Sequence, residues 1–278
     1  MNQNLVDKVL NQFTSHELLG EGSQKKVFGI THPLYGNCVL KIGELKNDHS
    51  FERIKREVAI ARSLSAPQFP TLFDFSTFGT NFFYIVEERR SGSTLAEVID
   101  QFSEISKCIN LILDLVLGLE NLWNKKIVHR DVKPANILVN ADSNISILDL
   151  GIARVTEETS ITQTHAPYGP CTPAYASPEQ LINSKISINH RSDQFSVGII
   201  FAQLLQCGVH PFEPKFVGKG SSIPENIYSG NYSLSGLGEN TPEQIQALIC
   251  RLLSHQPFGR FRKSQHLISN LKNLLNND

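Results

Sequence analysis

Hydrophobic and polar positions change their rhythm near residue 90. From 15 to 90 the chain runs in short stretches, "HELLG", "KVFGI", "NCVLKIG", "TLFDFSTFG" and "FFYIVEE", each bounded by turn residues, which predicts strands. One helical period interrupts them between about Phe51 and Leu64, where Ile54, Val58, Ala61 and Leu64 lie three or four apart. The expectation is a small sheet with a single helix. After "RRSGST" the period lengthens: "LAEVIDQF", a long run from Ile105 to Trp123, and segments around 178–184, 191–207, 242–254 and 264–276 read as helices. The second part is therefore expected to be a larger, mostly helical lobe. Residues 1–12 are polar and amphipathic and read as an extension ahead of the first strand.

Composition narrows the class. A chain of 278 residues can bury a substantial core, in one large domain or in two lobes. The formal net charge of -1 gives no electrostatic case for nucleic acid or an anionic membrane as partner. Cys38, Cys108, Cys171, Cys207 and Cys250 are scattered without CxxC spacing, which argues against a zinc site and a disulfide framework and for reduced thiols. The N-terminus lacks a charged segment followed by an apolar run, and the apolar stretch "VGIIFAQLL" is too short to span a bilayer. A cytoplasmic protein is expected.

The chemistry concentrates in "IVHRDVKPANILV" (127–139) and "ISILDLG" (145–151). Asp131, Lys133 and Asn136 precede one apolar strand, and Asp149 ends another, with "NADSN" joining the two as a hairpin. Asp131, Asn136 and Asp149 should converge at its open end. Two carboxylates and an amide oxygen at one point suit Mg²⁺, a hard cation that favours oxygen ligands and bridges nucleotide phosphates. Upstream, "LGEGSQKKVF" has the outline of a phosphate-holding loop, with Gly20 and Gly22 two apart, but Lys25 stands where a third glycine is expected.

With these motifs the chain resembles a eukaryotic-type (Hanks-type) protein kinase over about residues 13–272. The resemblance implies an α+β bilobal fold, with a small antiparallel-sheet N-lobe carrying one helix (13–90) and a larger helical C-lobe (91–278). It implies that Lys41 in "CVLKIG" holds the α- and β-phosphates of ATP and pairs with Glu57 of the helix. Glu57 shares the apolar helix face, where an unpaired charge is costly, so Lys41 is expected to satisfy it. Asp131 is then the acid that accepts the substrate hydroxyl proton, Lys133 steadies the transferred phosphoryl group, and Asn136 and Asp149 are the Mg²⁺ ligands. ATP contacts are further implied for Leu19, Gly20, Gly22, Val27, Val39, Glu88 and Leu138. Thr172 in "CTPAYASPEQL" matches the peptide-positioning residue, Glu179 the acid that pairs with Arg260, and Asp193 the buried acid that holds the catalytic-loop backbone. Lys133 and Thr172 match the serine/threonine branch.

Several positions depart from the family pattern. Lys25 or Lys26 either adds positive charge near the γ-phosphate or a substrate acid, or both project into water from a strand end. On the second reading Lys25→Gly changes activity by less than about tenfold. Glu87 occupies the position guarding the back pocket, where it should hydrogen-bond a polar neighbour, turn outward or perturb Lys41. "SITQTHAPYGPCTPAYASPEQ" resembles bacterial serine/threonine kinases and makes Thr162 and Thr164 the favoured autophosphorylation sites, with Arg130 a partner for the added phosphate. The expectation is a bare catalytic domain that phosphorylates protein substrates and itself, through a transient homodimer, with ATP and Mg²⁺ as cofactors. An inactive kinase-like ATP-binding module and a small-molecule phosphotransferase are the alternatives.

Overall fold

The computed structural model describes residues 3–13, 15–21, 25–45, 48–79, 81–102, 104–150, 154–155, 171–218, 222–239 and 241–276. It divides into two compact units, one of residues 1–64 and 69–91, the other of 65–68 and 92–278.

The first unit is a five-stranded antiparallel sheet with a helix on each face. Helix α1 (Gln3–Leu10) leads into β1 (His16–Glu21), β2 (Lys25–His32), β3 (Gly36–Glu44), α2 (Asp48–Ser63), β4 (Leu72–Phe78) and β5 (Phe82–Glu88), with strand order β1-β2-β3-β5-β4. The period-2 alternation decides which side chains go to which face. Phe28 and Ile30 of β2, Cys38, Leu40 and Ile42 of β3 and Val86 of β5 form one buried cluster. Ile54 and Val58 of α2 pack with Phe83 and Ile85 on the other.

Helix α1, within the segment read as an N-terminal extension, contributes to the core. Val6, Val9 and Leu10 lie three or four apart on α1, all are buried, and they close over the cluster of Phe28, Leu40 and Val86. A sheet face with Cys38, Leu40, Ile42 and Val86 all fully buried needs such a cover, since apolar area returned to water costs about 25 cal/mol per Å². Leu10→Ala is expected to cost about 2–5 kcal/mol, read as a lower urea midpoint, and removal of residues 1–12 to lower it further. An unchanged midpoint on truncation would make α1 dispensable.

In the second unit, β6 (Ser93–Thr94) precedes α3 (Leu95–Val98) and the long α4 (Ile105–Asn124). The strand β7 (Ile127–Val128) pairs with β10 (Arg154–Val155). The hairpin expected from "NADSN" forms between β8 (Ile137–Val139) and β9 (Ile145–Ile147), with Ile137 opposite Ile147. The remaining helices are α5 (Pro178–Leu181), α6 (His190–Leu205), α7 (Pro214–Val217), α8 (Ile223–Ser229), α9 (Glu243–Leu252) and α10 (Ser264–Asn276). Every residue of α6 from Ser192 to Leu204 is buried, because α4 and α9 pack against it. Its buried Gln194 is tolerated because the side chain donates to Phe261 O and accepts from Phe261 N, both at 3.0 Å. Among the described residues no helix is long and apolar enough to cross a membrane, and the five cysteines are free.

Candidate active site

In the second unit the hairpin and the turn before it bring together the residues that the sequence singles out. Asp131 Oδ1 accepts hydrogen bonds from Thr172 Oγ1 at 2.6 Å and Thr172 N at 3.1 Å. Its Oδ2 accepts from Asn136 Nδ2 at 3.1 Å and forms an ion pair with Lys133 Nζ at 2.8 Å. Lys133 Nζ also donates to Thr172 Oγ1 at 2.6 Å. One hydroxyl thus sits between an acid that can take its proton and a cation that can stabilise the negative charge that follows. Asn136 reaches Asp131 again through Nδ2 to the main-chain oxygen at 2.9 Å, so both of these contacts use the amide nitrogen. Leu148 N donates to Asn136 O at 2.8 Å, which sets Asp149, an exposed residue, beside this turn.

Backbone strain marks the same segment. Arg130 has φ 72° and Asp149 φ 58°, left-handed values that cost a non-glycine residue on the order of 1–3 kcal/mol. Asp193 of α6 supplies the compensation at Arg130. Its Oδ1 accepts from Arg130 N, and its Oδ2 from His129 N and Trp123 Nε1, all at 2.9 Å. Gln180 Nε2 holds the Arg130 carbonyl at 2.9 Å, so both backbone polar groups of the strained residue are fixed. Burial pushes the Asp193 carboxyl up from its ordinary value, opposed by electrostatic interaction with the neighbouring His129 and by the N–H groups of Arg130, Trp123 and His129.

The expected Glu179–Arg260 pair is present and almost wholly buried, at 2.6 and 3.1 Å between guanidinium and carboxylate. Ser192 Oγ adds a bond to Glu179 Oε1 at 2.7 Å. His210 is a contributor with no signal in the sequence. Its Nδ1 accepts from Phe212 N and its Nε2 donates to Ala174 O, which fixes a neutral ring beside the Thr172 segment. Burial holds its pKa down to about 4. Trp123 and Gln180 were equally illegible as Asp193 and Arg130 partners, since tertiary packing alone brings them there.

In the first unit the sequence expectation needs correction. The expected Lys41–Glu57 pair is replaced by two others. Lys25 Nζ contacts both oxygens of the buried Glu57, at 2.6 and 2.8 Å. Lys41 Nζ lies 2.5 Å from Glu87 Oε1. Lys25 therefore does not project into water, and Lys26, half-buried on the opposite sheet face, pairs with Glu21 at 3.4 Å. Glu87 takes the course of engaging Lys41. Of the residues expected at ATP, Val27 and Val39 are half-buried on the same face as Lys41. Gly20 has open space where a side chain would be, and Leu19 is exposed beside a β-bulge. Glu88 donates its N–H to Thr71 O, while its carboxylate meets Thr71 N and Arg90. Leu138 is half-buried in β8. Gly22, Thr162 and Thr164 lie outside the described residues.

The donor set of Asn136 and Asp149 fits a hard divalent cation. The amide turns its nitrogen to Asp131, leaving its oxygen side for an ion, and Asp149 is an exposed residue at the same hairpin end. Cys171, next to Thr172, is a thiol that burial pushes up to about 11, against the Arg130 charge, so little thiolate is present near pH 7.

An antiparallel-sheet unit, and a mostly helical unit that holds an acid, a cation and a hydroxyl together in a strained loop, are the features expected of a phosphoryl-transfer enzyme of α+β class. The family model described as protein kinase domain matches residues 13–271, and the chain belongs to that family. Bacterial proteins are among the curated relatives. The chain is 28% identical to a protein called probable serine/threonine-protein kinase PknB of Corynebacterium glutamicum, over 97% of this chain and 43% of that protein. It is 28% identical to serine/threonine-protein kinase PknB of Mycobacterium leprae over 92% and 42%, and to serine/threonine-protein kinase PrkC of Bacillus subtilis over 84% and 35%. The chain thus spans less than half the length of these relatives.

Proposed function

We propose that this chain is an ATP- and Mg²⁺-dependent protein kinase that transfers the γ-phosphate to serine or threonine hydroxyls of protein substrates. The observation that carries the reading is the Asp131–Lys133–Thr172 array, in which a threonine hydroxyl already donates to the acid and accepts from the lysine. In the reaction a substrate hydroxyl oxygen bonds to the γ-phosphorus, the bond to the β,γ-bridging oxygen breaks, and the hydroxyl proton passes to Asp131. Lys133 stabilises charge on the transferred group, and Mg²⁺ held by Asn136 and Asp149 would neutralise phosphate charge. Lys41, Val27, Val39, Leu19, Gly20, Gly22, Glu88 and Leu138 bind the nucleotide, Thr172 positions the peptide, and Glu179, Arg260 and Asp193 keep the loops in place. Names of the bacterial relatives support the serine/threonine specificity. Five free cysteines and the net charge of -1 favour a cytoplasmic protein without nucleic-acid or membrane partners.

Activity depends, on this reading, on phosphate at Thr162 or Thr164, placed by one copy acting on another. A phosphate brings close to two negative charges and forms charge-assisted bonds with a guanidinium, for which Arg130 is the candidate. The test starts from phosphatase-treated protein with Mg²⁺, γ-labelled ATP and a generic protein substrate, followed by mass spectrometry. Label is expected on substrate Ser/Thr and on Thr162 or Thr164, with an activation rate that rises with protein concentration and a slow Thr162→Ala, Thr164→Ala double variant. A double variant as fast as the parent moves the switch elsewhere. ATP binding without any transfer would favour the inactive binding module, and label on a small molecule alone the small-molecule phosphotransferase.

A further inference from the structure

Lys25 and Glu87 look like two unrelated departures from a family pattern, yet the sheet puts them on one face with Lys41. Pairing of β2 with β3 sets Lys25 opposite Gly43, Val27 opposite Lys41 and Gly29 opposite Val39. Pairing of β3 with β5 sets Lys41 opposite Ile85 and Val39 opposite Glu87. Residues two apart share a face, so Lys25, Lys41 and Glu87 all point to the side that α2 covers through Ile54 and Val58. Glu87 lies diagonally from Lys41, within reach of long side chains, and takes its ammonium at 2.5 Å. That leaves Glu57, 6% exposed, in need of a cation. Lys25 provides it from across Gly43, which has no side chain in the way, and binds both carboxylate oxygens.

We propose that Lys25 is the positioning residue that anchors α2 through Glu57, and that Glu87 and Lys25 are one compensating set. Glu87 adds an acid that occupies Lys41, and Lys25 adds the base that replaces Lys41 on Glu57, so the face keeps two cations for two carboxylates. Removing Lys25 alone leaves the buried Glu57 without the cation that binds it, whereas removing both frees Lys41 from Glu87 to return to Glu57. The kinetic half of this proposal rests on the kinase reading above; the folding half does not.

The experiment compares Lys25→Met, Glu87→Met and the double variant, first by urea unfolding without nucleotide. Lys25→Met is expected to shift the unfolding equilibrium by about tenfold, or about 1.4 kcal/mol, and the double variant to recover most of that loss. Turnover should follow the same order: about a hundredfold lower kcat for Lys25→Met with KM for ATP within about threefold, and at least about tenfold recovery in the double variant. Lys25→Arg should retain both properties, and Lys26→Met should change neither. A double variant as impaired as the sum of its singles, in unfolding or in kcat, overturns the proposal, as does Lys25→Met raising KM for ATP with kcat unchanged. If the parent transfers no phosphate, the kinase reading falls, and the unfolding series still decides the ion-pair exchange.

Discussion

Asp131→Asn is expected to lower phosphoryl transfer by about 10²–10⁴-fold while Mg²⁺·ATP binding survives. The geometry gives the reason at the level of single atoms. Each carboxylate oxygen meets two donors, Oδ1 the hydroxyl and N–H of Thr172, Oδ2 the amide of Asn136 and the ammonium of Lys133. Whichever oxygen becomes NH₂ faces two donors instead of accepting from them, and no atom remains that can take a proton from a hydroxyl at that point. The nucleotide loses little, since Asp131 orients the acceptor rather than the phosphates. Asp149→Asn should behave differently and lose metal-dependent nucleotide binding as well, because its carboxylate is assigned to the ion. Nucleotide titration with and without Mg²⁺, beside turnover measurements, separates the two. Equal loss of binding in both variants would sink this division of roles.

Arg260→Met should cost about 3–5 kcal/mol of stability, a large part of what holds an ordinary domain together. All five donors of the guanidinium are used: Nε on Ser254 O, one terminal nitrogen on Glu179 Oε1 and Arg191 O, the other on Glu179 Oε2 and His255 O. A methionine fills similar space but leaves the buried Glu179 carboxylate and three carbonyls without these partners. Arg260→Lys keeps the charge and falls between, because an ammonium offers three donors and no planar fork. The damage should spread to turnover, since Glu179 adjoins Gln180, whose amide holds the Arg130 carbonyl one residue before Asp131. Urea midpoints and kcat measured on the same preparations test both parts. A midpoint within about 1 kcal/mol of the parent would show that the pair is not the anchor the geometry describes.

The sequence by itself determined most of the element order and the closeness of Asp131, Lys133 and Asn136, because both are written in short-range patterns. Short apolar stretches bounded by turn residues at "NCVLKIG" and "FFYIVEE" predict strands, and β3 and β5 form there. The spacing of Asp131, Lys133 and Asn136 fits one tight turn, and these three residues do meet around a single carboxylate. Helices α7 and α8 were not read, being four and seven residues long and too short to show a period.

Only the tertiary structure decided which charges pair and which surfaces close. The amphipathic pattern of residues 3–10 does not say what its apolar stripe packs against, yet α1 closes a sheet face. Its burial depends on β2, β3 and β5 being already assembled. Lys25 and Glu57 are thirty-two positions apart, and nothing local prefers that pair to Lys41 and Glu57. Ionic attraction has no sequence register: it follows distance and burial, and both are set by strand pairing, by the absent side chain of Gly43 and by the competing carboxylate of Glu87.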